Sequence, residues 1–388
     1  MFRVLIAHNA YQQRGGEDAV VDAEIELLQS HGHAVATYFR HNDEIAGLSN
    51  FEVAKKTHWS PRTTSEISVL IDEFRPDVIH VHNTFPLISP SLYWAAAKRS
   101  VPVIQTLHNF RLSCPQAMFL RDGKVCEDCI GKIPWRSVVH GCYRGSRTSS
   151  AALTSMITLH RAIGTWNNKV TRYIALNDFC RNKFIEGGLP PKRVVIKPNF
   201  VDFTAPAAGE RSGFLFVGRL SNEKGIDVLV KAFAALDGIV LRVAGTGPVA
   251  HLLGGVAGLT PLGALTGDSV RNEMTAASVL ILPSICYEGF PRTLVEAFGS
   301  GLPVIASQLG ALPDLVTDGV TGLLFEPGNA KDLAEKMTWA QQHPDDMAAM
   351  GRNARVQYEA EFTAERNYQK LMAIYADAIA EVKGQAAP

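Results

Sequence analysis

The sequence predicts an α/β protein built as two doubly wound domains, each a parallel sheet with helices on both faces. Three observations predict it. Short apolar runs of strand length alternate with helical patterns. This alternation runs through roughly the first 200 residues and starts again at Gly213. A chain of 388 residues is too long for one typical hydrophobic core and suits two.

Phe2–Ala7 is the first apolar run. Gly15-Gly16 follows, then a helical pattern from about Glu17 to Ser30 with Val20, Ile25, Leu27 and Leu28 among its apolar positions. Ala34–Phe39, Asp77–His82 and Val101–Leu107 read as further strands. Near residue 108 the alternation breaks into a Cys-, Arg- and Gly-rich stretch that lasts to about Ser150. A helical segment from about Ala151 to Lys169 and the strands Tyr173–Leu176 and Val194–Ile196 follow, ending in Pro198-Asn199. The second cycle opens with FLFVG and GRLSNEKG, then a helix through Ala235 and the strand IVLRVAG. An irregular Gly-rich stretch, SVLILPS, a helix starting near Pro291 and LPVIAS complete it. With a linker near 197–212, the expected domains are 1–197 (insert 109–150) and 198–363. A long amphipathic helix in 364–388 is expected to return to the first domain.

Apolar residues are 46% and charged residues 20% of the chain, ordinary for a soluble enzyme. No apolar run reaches the roughly 18 residues of a membrane-spanning helix, and MFRVLIAHNA reads as a buried strand, not a signal peptide. A cytoplasmic location is the expectation. Net charge is zero but uneven: residues 1–200 hold 24 Lys+Arg against 17 Asp+Glu, and residues 98–197 hold 17 against 5. A basic half suits an anionic partner such as a membrane surface, or is simply a solvated face.

The strongest motif is Glu288-Gly-Phe-Pro-Arg-Thr-Leu-Val-Glu296, between a strand and a helix. Pro291 suits the first helical position, and amides at a helix start bind a diphosphate with help from the helix dipole. Glu288 lies in the loop beside that pocket. Glu296 lies inside the helix, as a partly exposed residue or as a carboxylate that pairs with two ribose hydroxyls. The second motif is Gly218-Arg219-Leu220 with Glu223-Lys224-Gly225, also in a strand-to-helix loop. Arg219 offers a fork and Lys224 a point charge to phosphate oxygens. Both loops open on the carboxyl edge of one parallel sheet, so the two motifs are expected to converge on a sugar nucleotide.

In these motifs, and in Pro198-Asn-Phe-Val-Asp202, the chain resembles glycosyltransferase family 4 over nearly its whole length. That family consists of retaining enzymes of GT-B fold: two Rossmann-like domains facing each other across a cleft. The resemblance implies a donor site of Gly15, Gly16, Gly218, Arg219, Lys224, Gly263, Glu288, Gly289, Phe290, Pro291, Thr293, Leu294 and Glu296. His108, Arg219, Lys224 and Glu288 would be catalytic, His108 meeting the donor sugar. Asn109 stands where family members commonly have Asp. Arg219 and Lys224 would stabilise the departing nucleotide, and no divalent cation would be needed. The partners implied are a nucleotide-diphosphate sugar and a glycan or lipid-diphosphate acceptor, with no nucleic acid, in cell-surface polysaccharide synthesis. A GT-B epimerase or a non-catalytic nucleotide-sugar binder is the competing reading, and the intact motif set argues against both.

Cys114, Cys126, Cys129 and Cys142 are spaced as x11, x2 and x12. Cys-x2-Cys is a common zinc half-site, so a structural zinc is one reading, with reduced thiols or disulfides as the others. Arg111, Arg121, Lys124, Lys132, Arg136, Arg144 and Arg147 lie in the insert, and Trp135, Tyr143 and Trp166 add amphipathic rings, which suits docking to anionic lipid head groups or a lipid-diphosphate acceptor, or is simply acceptor-loop surface.

Overall fold

The computed structural model describes residues 1–203 and 209–385. Residues 204–208 of the expected linker and 386–388 at the end lie outside the described residues. The chain divides into two compact units. One comprises 1–117, 127–197 and 367–388, the other 118–126 and 198–366. Residues 118–126 of the insert therefore count with the second unit, although the insert is expected in the first.

The strands of the first unit are β1 (Arg3–Ala10), β2 (Ala34–His41), β3 (Val78–Asn83) and β4 (Val103–Thr106). A small antiparallel hairpin, β5 (Leu120–Arg121) and β6 (Lys124–Val125), precedes β7 (Arg172–Ala175) and β8 (Val194–Ile196). The sheet order is β2-β1-β3-β4-β7-β8, and its pairings are parallel. Between the strands run α1 (Gly16–Ser30), α2 (Asn50–His58), α3 (Pro61–Phe74), α4 (Ser91–Lys98), α5 (Arg136–His140), α6 (Arg147–Ala162), α7 (Thr165–Asn168) and α8 (Asp178–Glu186). Val4, Leu5, Ile6 and Ala7 are completely buried. That is what a parallel strand covered on both faces requires.

The second unit holds β9 (Phe214–Val217), β10 (Leu241–Ala244), β11 (Leu259–Gly263), β12 (Val279–Leu282), β13 (Val304–Ser307) and β14 (Gly322–Phe325). Their order is β11-β10-β9-β12-β13-β14, again parallel. Its helices are α9 (Ile226–Phe233), α10 (Gly267–Ala276), α11 (Arg292–Gly299), α12 (Leu312–Leu315), α13 (Ala330–Gln342) and α14 (Pro344–Glu361). One core layer gathers Phe216, Leu229, Phe233 and Ile281, the other Leu215, Leu280, Leu294 and Phe298.

The closing helix α15 (Ala364–Gln385) belongs to the first unit from Asn367 on. Leu371, Tyr375 and Ala378 are fully buried there against Val4, Ile6 and Ile104. Arg172 on β7 grips it through Asp377 and Glu381.

Several expectations are corrected. The stretch after IVLRVAG is not irregular: it includes β11 and α10, which its glycines conceal. LPVIAS does not close the sheet, since β14 adds an outer strand. The segment 151–169 is two helices broken at Gly164, whose φ of 72° ends α6. Pro291 is the N-cap, not the first helical residue.

Candidate functional site

In the second sheet, β9 sits between β10 and β12, and the direction of strand succession reverses there. Ligands of such sheets bind beyond the carboxyl ends at this switch point. The two motifs occupy it: Gly218-Arg219 follows β9, and Pro283 to Glu288 follow β12. Residues some seventy apart in sequence become neighbours because their strands pair, Leu215 opposite Leu280.

Backbone bonds lace this edge. Gly218 N donates to Ala244 O at 3.0 Å, Gly245 N to Gly263 O at 2.7 Å, and Ile285 N to Glu223 O at 3.0 Å. Glycine is required where chains touch. A Cβ on Gly225 would lie 1.9 Å from Pro283 O, and one on Gly245 would lie 1.8 Å from Gly218 O. Gly225 also has φ +68°, a left-handed conformation that side chains disfavour.

Lys224 Nζ donates to Glu288 Oε1 at 2.6 Å, and Ser284 Oγ to the same oxygen at 2.5 Å. Burial opposes the Lys224 charge, but the Glu288 carboxylate outweighs it and holds the amine above its ordinary value. Burial likewise pushes Glu288 up, and Lys224 with Ser284 brings it below the usual carboxylate range. Both stay charged. Arg219 is exposed, with no ion-pair partner among the described residues, so its fork is available to an anion. Thr293 and Arg292 head α11, which has no side-chain cap. Glu296, half-buried one turn further, meets Arg292 Nε at 3.0 Å and is raised by burial that Arg292 only partly offsets. Gly289 and Phe290 complete the loop, and Phe290 stands edge-on to Phe362 at 5.8 Å. Leu294 departs from expectation: its side chain is wholly in the core and its amide bonds Pro291 O at 3.0 Å. No atom of its side chain can reach a ligand.

Sequence reasoning missed Ser284 and Tyr287 here. Phe119 of the β5 hairpin stands 5.8 Å from the Tyr287 ring, next to Glu288. A serine after an apolar strand gives no signal by itself. A cavity of about 940 Å³ in this unit, lined by Phe214, Val240, Val279 and Arg242, opens at the amino ends of the strands, the wrong edge for these loops.

In the first unit, Gly15 caps α1 and Gly16 is its first residue, both exposed. Asp18 fixes this turn, accepting from Gly15 N at 2.8 Å and meeting His8 Nε2 at 2.8 Å. Next to it, Glu17 accepts from Tyr11 at 2.9 Å. Burial raises the Glu17 carboxyl to about 7. The Arg111 guanidinium lies 4.6 Å from the Phe85 ring and 5.5 Å from the Tyr143 ring.

His108, half-buried after β4, meets His82 Nδ1 through its Nε2 at 2.9 Å. Beneath them lies a charged core that the sequence did not announce. Lys197, fully buried, donates to Glu24 Oε1 at 2.5 Å and to Asn367 at 3.1 Å. Glu24 Oε2 lies 3.4 Å from His82 Nε2 and 3.6 Å from His80 Nδ1. Burial pushes the His108 imidazole down to about 3, and His80 and His82 well below their usual value. Glu24, His80 and His82 could converge on a metal ion, but the Lys197 ammonium already supplies the compensating positive charge. Two histidines in the wholly buried VIHVHN strand were the available clue.

Comparison with known proteins agrees with this architecture. Residues 14–205 match the family model "Glycosyltransferase Family 4" and residues 202–357 match "Glycosyl transferases group 1". The chain belongs to the family 4 glycosyltransferases, which have the GT-B fold. It is 26% identical to a sulfoquinovosyl transferase of Arabidopsis thaliana over 341 residues, 81% of this chain and 60% of that protein. It is 27% identical to a D-inositol 3-phosphate glycosyltransferase of Mycolicibacterium smegmatis, over 80% of this chain and 69% of that one. The chain thus spans about 60% of the first relative's length. Among solved structures, Anabaena HepE in complex with UDP superposes with a TM-score of 0.68 at 16% identity, covering 97% of this chain and 100% of that one. Sucrose-phosphate synthase of Thermosynechococcus elongatus gives 0.72 at 18% identity, over 98% and 100%.

Proposed function

We propose that the protein is a retaining glycosyltransferase that moves a sugar from a nucleotide-diphosphate donor to a glycan or lipid-linked acceptor. The observation that carries this reading is the convergence of Arg219, Lys224, Glu288 and the uncapped start of α11 at the switch point of one sheet. Arg219, Lys224 and the α11 amides bind the diphosphate and stabilise the charge that develops as the nucleotide leaves. Glu288 holds sugar hydroxyls and Glu296 the ribose. His108 is assigned to a hydroxyl of the sugar. Attack comes from the face the nucleotide leaves, with the departing phosphate taking the acceptor's proton, so the anomeric configuration is kept. No carboxylate nucleophile and no divalent cation are required, because the Arg219 and Lys224 cations oppose the leaving group.

The similar Anabaena protein is described in complex with UDP and with UDP-glucose, so uridine nucleotides are the first donors to test. A thermal-shift series with UDP, GDP, ADP and TDP is expected to give a selective rise for one of them. Arg219→Ala is expected to abolish that rise. No shift with any nucleotide at millimolar concentration would favour the non-catalytic reading. The spacing of Cys114, Cys126, Cys129 and Cys142 supports a structural zinc in the same protein. Native enzyme in EDTA should keep its turnover, while denatured protein releases about one zinc per chain. Loss of turnover that Mg²⁺ restores, or release of no zinc, would overturn the respective claim.

A peripheral membrane position and a role in surface polysaccharide synthesis are part of the proposal. In the first unit Ile133, Trp135 and Val139 are 59%, 57% and 51% exposed, among the basic side chains Lys132, Arg136 and Arg144. Amphipathic rings and cations together suit an anionic lipid surface. Flotation with liposomes that contain anionic lipid, but not with neutral ones, is the expected result, and equal absence of binding to both rejects it.

A further inference from the structure

We propose that Glu24 is a positioning residue which, through His82, fixes the tautomer of His108 so that its Nδ1 presents a lone pair to the substrate. This rests on the assignment of His108 to a hydroxyl of the sugar and deepens it.

Two buried atoms face each other beneath His108. Glu24 Oε2 and His82 Nε2 are 3.4 Å apart, and neither has a hydrogen-bond partner among the described residues. Lys197 occupies the other carboxylate oxygen at 2.5 Å, so Glu24 is ionised and acceptor-only. If His82 Nε2 also carried only a lone pair, two acceptors would oppose each other in a dry interior, at the cost of an unmade buried hydrogen bond. The proton of neutral His82 therefore sits on Nε2. Its Nδ1 is then bare, and it lies 2.9 Å from His108 Nε2. Only a proton on His108 Nε2 makes that contact a hydrogen bond. Neutral His108 is left with a bare Nδ1, which has no protein partner among the described residues and lies on a half-buried ring.

The consequence is directional. His108 accepts a hydrogen bond from a hydroxyl and cannot donate one to an oxygen without lone-pair repulsion. No proton is transferred and no bond is made. The choice is imposed from α1, two residues away along the chain of contacts, while His80 is engaged separately by Tyr375 and Thr106, both at 2.7 Å. Second-layer partners of this kind set tautomers in many sites.

The test is a long-range ¹H–¹⁵N spectrum of the full chain labelled at the histidine rings, with His82→Asn and His108→Gln used to assign the signals. The expected wild-type spectrum has His82 and His108 both protonated on Nε2 and bare at Nδ1. Wild-type His108 protonated on Nδ1 overturns the proposal, whatever the variants do. Glu24→Gln can offer His82 either an oxygen or an NH₂ group. It is expected to mix the His108 tautomers and to lower kcat by roughly tenfold with little change in donor KM. Unmixed tautomers in a folded Glu24→Gln protein also overturn it. If the spectra are as expected but His108→Gln transfers sugar at the wild-type rate, the relay stands and the assignment of His108 to the sugar falls.

Discussion

At the scale of single residues, the proposed donor site depends on where its charges are held. Lys224 is the clearest case, a partly buried ammonium aimed by Glu288 and seated in a loop that the sheet itself positions. Under the proposed function, removing it deletes the cation assigned to the leaving phosphate and, among the described residues, leaves Glu288 with Ser284 as its side-chain partner. Lys224→Ala is expected to lower turnover by at least about 100-fold, as for loss of other preorganised stabilising groups. A near-wild-type rate in a steady-state assay would sink the catalytic assignment. Arg219 and Lys224 were legible in the sequence because GRL…EKG sits between a strand and a helix. Glu24 and Lys197 were not. They are 173 positions apart, and a lysine beside a proline reads as surface until the fold buries it.

Among the elements, the turn between β9 and α9 is where sequence and geometry meet most tightly. Gly225 is left-handed, and its α-carbon faces the carbonyl of Pro283 with no room for a methyl group. Gly225→Ala must therefore strain the backbone or push apart the two loops that carry Lys224 and Glu288. We expect a loss of roughly 1–3 kcal/mol in denaturant unfolding, together with weaker nucleotide binding. An unchanged midpoint and unchanged binding would mean that the loops are not held by this contact. Strand alternation was readable because parallel strands are apolar on both faces. The elements β11 and α10 were hidden because Gly-rich flanks and polar helix positions weaken the periodic signal. The cap position of Pro291 shows the one-residue uncertainty at any helix start.

For the whole molecule, the buried histidines give folding a pH dependence. His80, His82 and His108 are all held below their ordinary value, chiefly by burial. The unfolded chain binds protons at these sites near pH 6.5, while the folded chain resists, down to about 3 for His108. Their contribution is present above pH 6.5 and is lost as the pH falls from there. Glu17 works the other way. Its carboxyl is raised to about 7, so its contribution is full below its ordinary value and lost as the pH rises through 7. Three groups outweigh one, so the melting temperature should fall between about pH 6.5 and 4.5. A flat or rising profile in calorimetry would show that the histidines are not held neutral.

The sequence by itself determined the alternation of strands and helices, the duplication of the doubly wound pattern and the motifs of the proposed donor site. Each of these is local: an apolar period, a glycine that only one turn tolerates, a proline at a helix start. The tertiary structure alone decided that the loops after β9 and β12 are neighbours, because sheet order is set by pairing across long stretches of chain. It also decided that Tyr375 and Asn367 of the last helix join Glu24, His80 and Lys197 in the first unit. Buried charges need partners, and here those partners come from wherever the fold brings the chain, not from nearby in sequence.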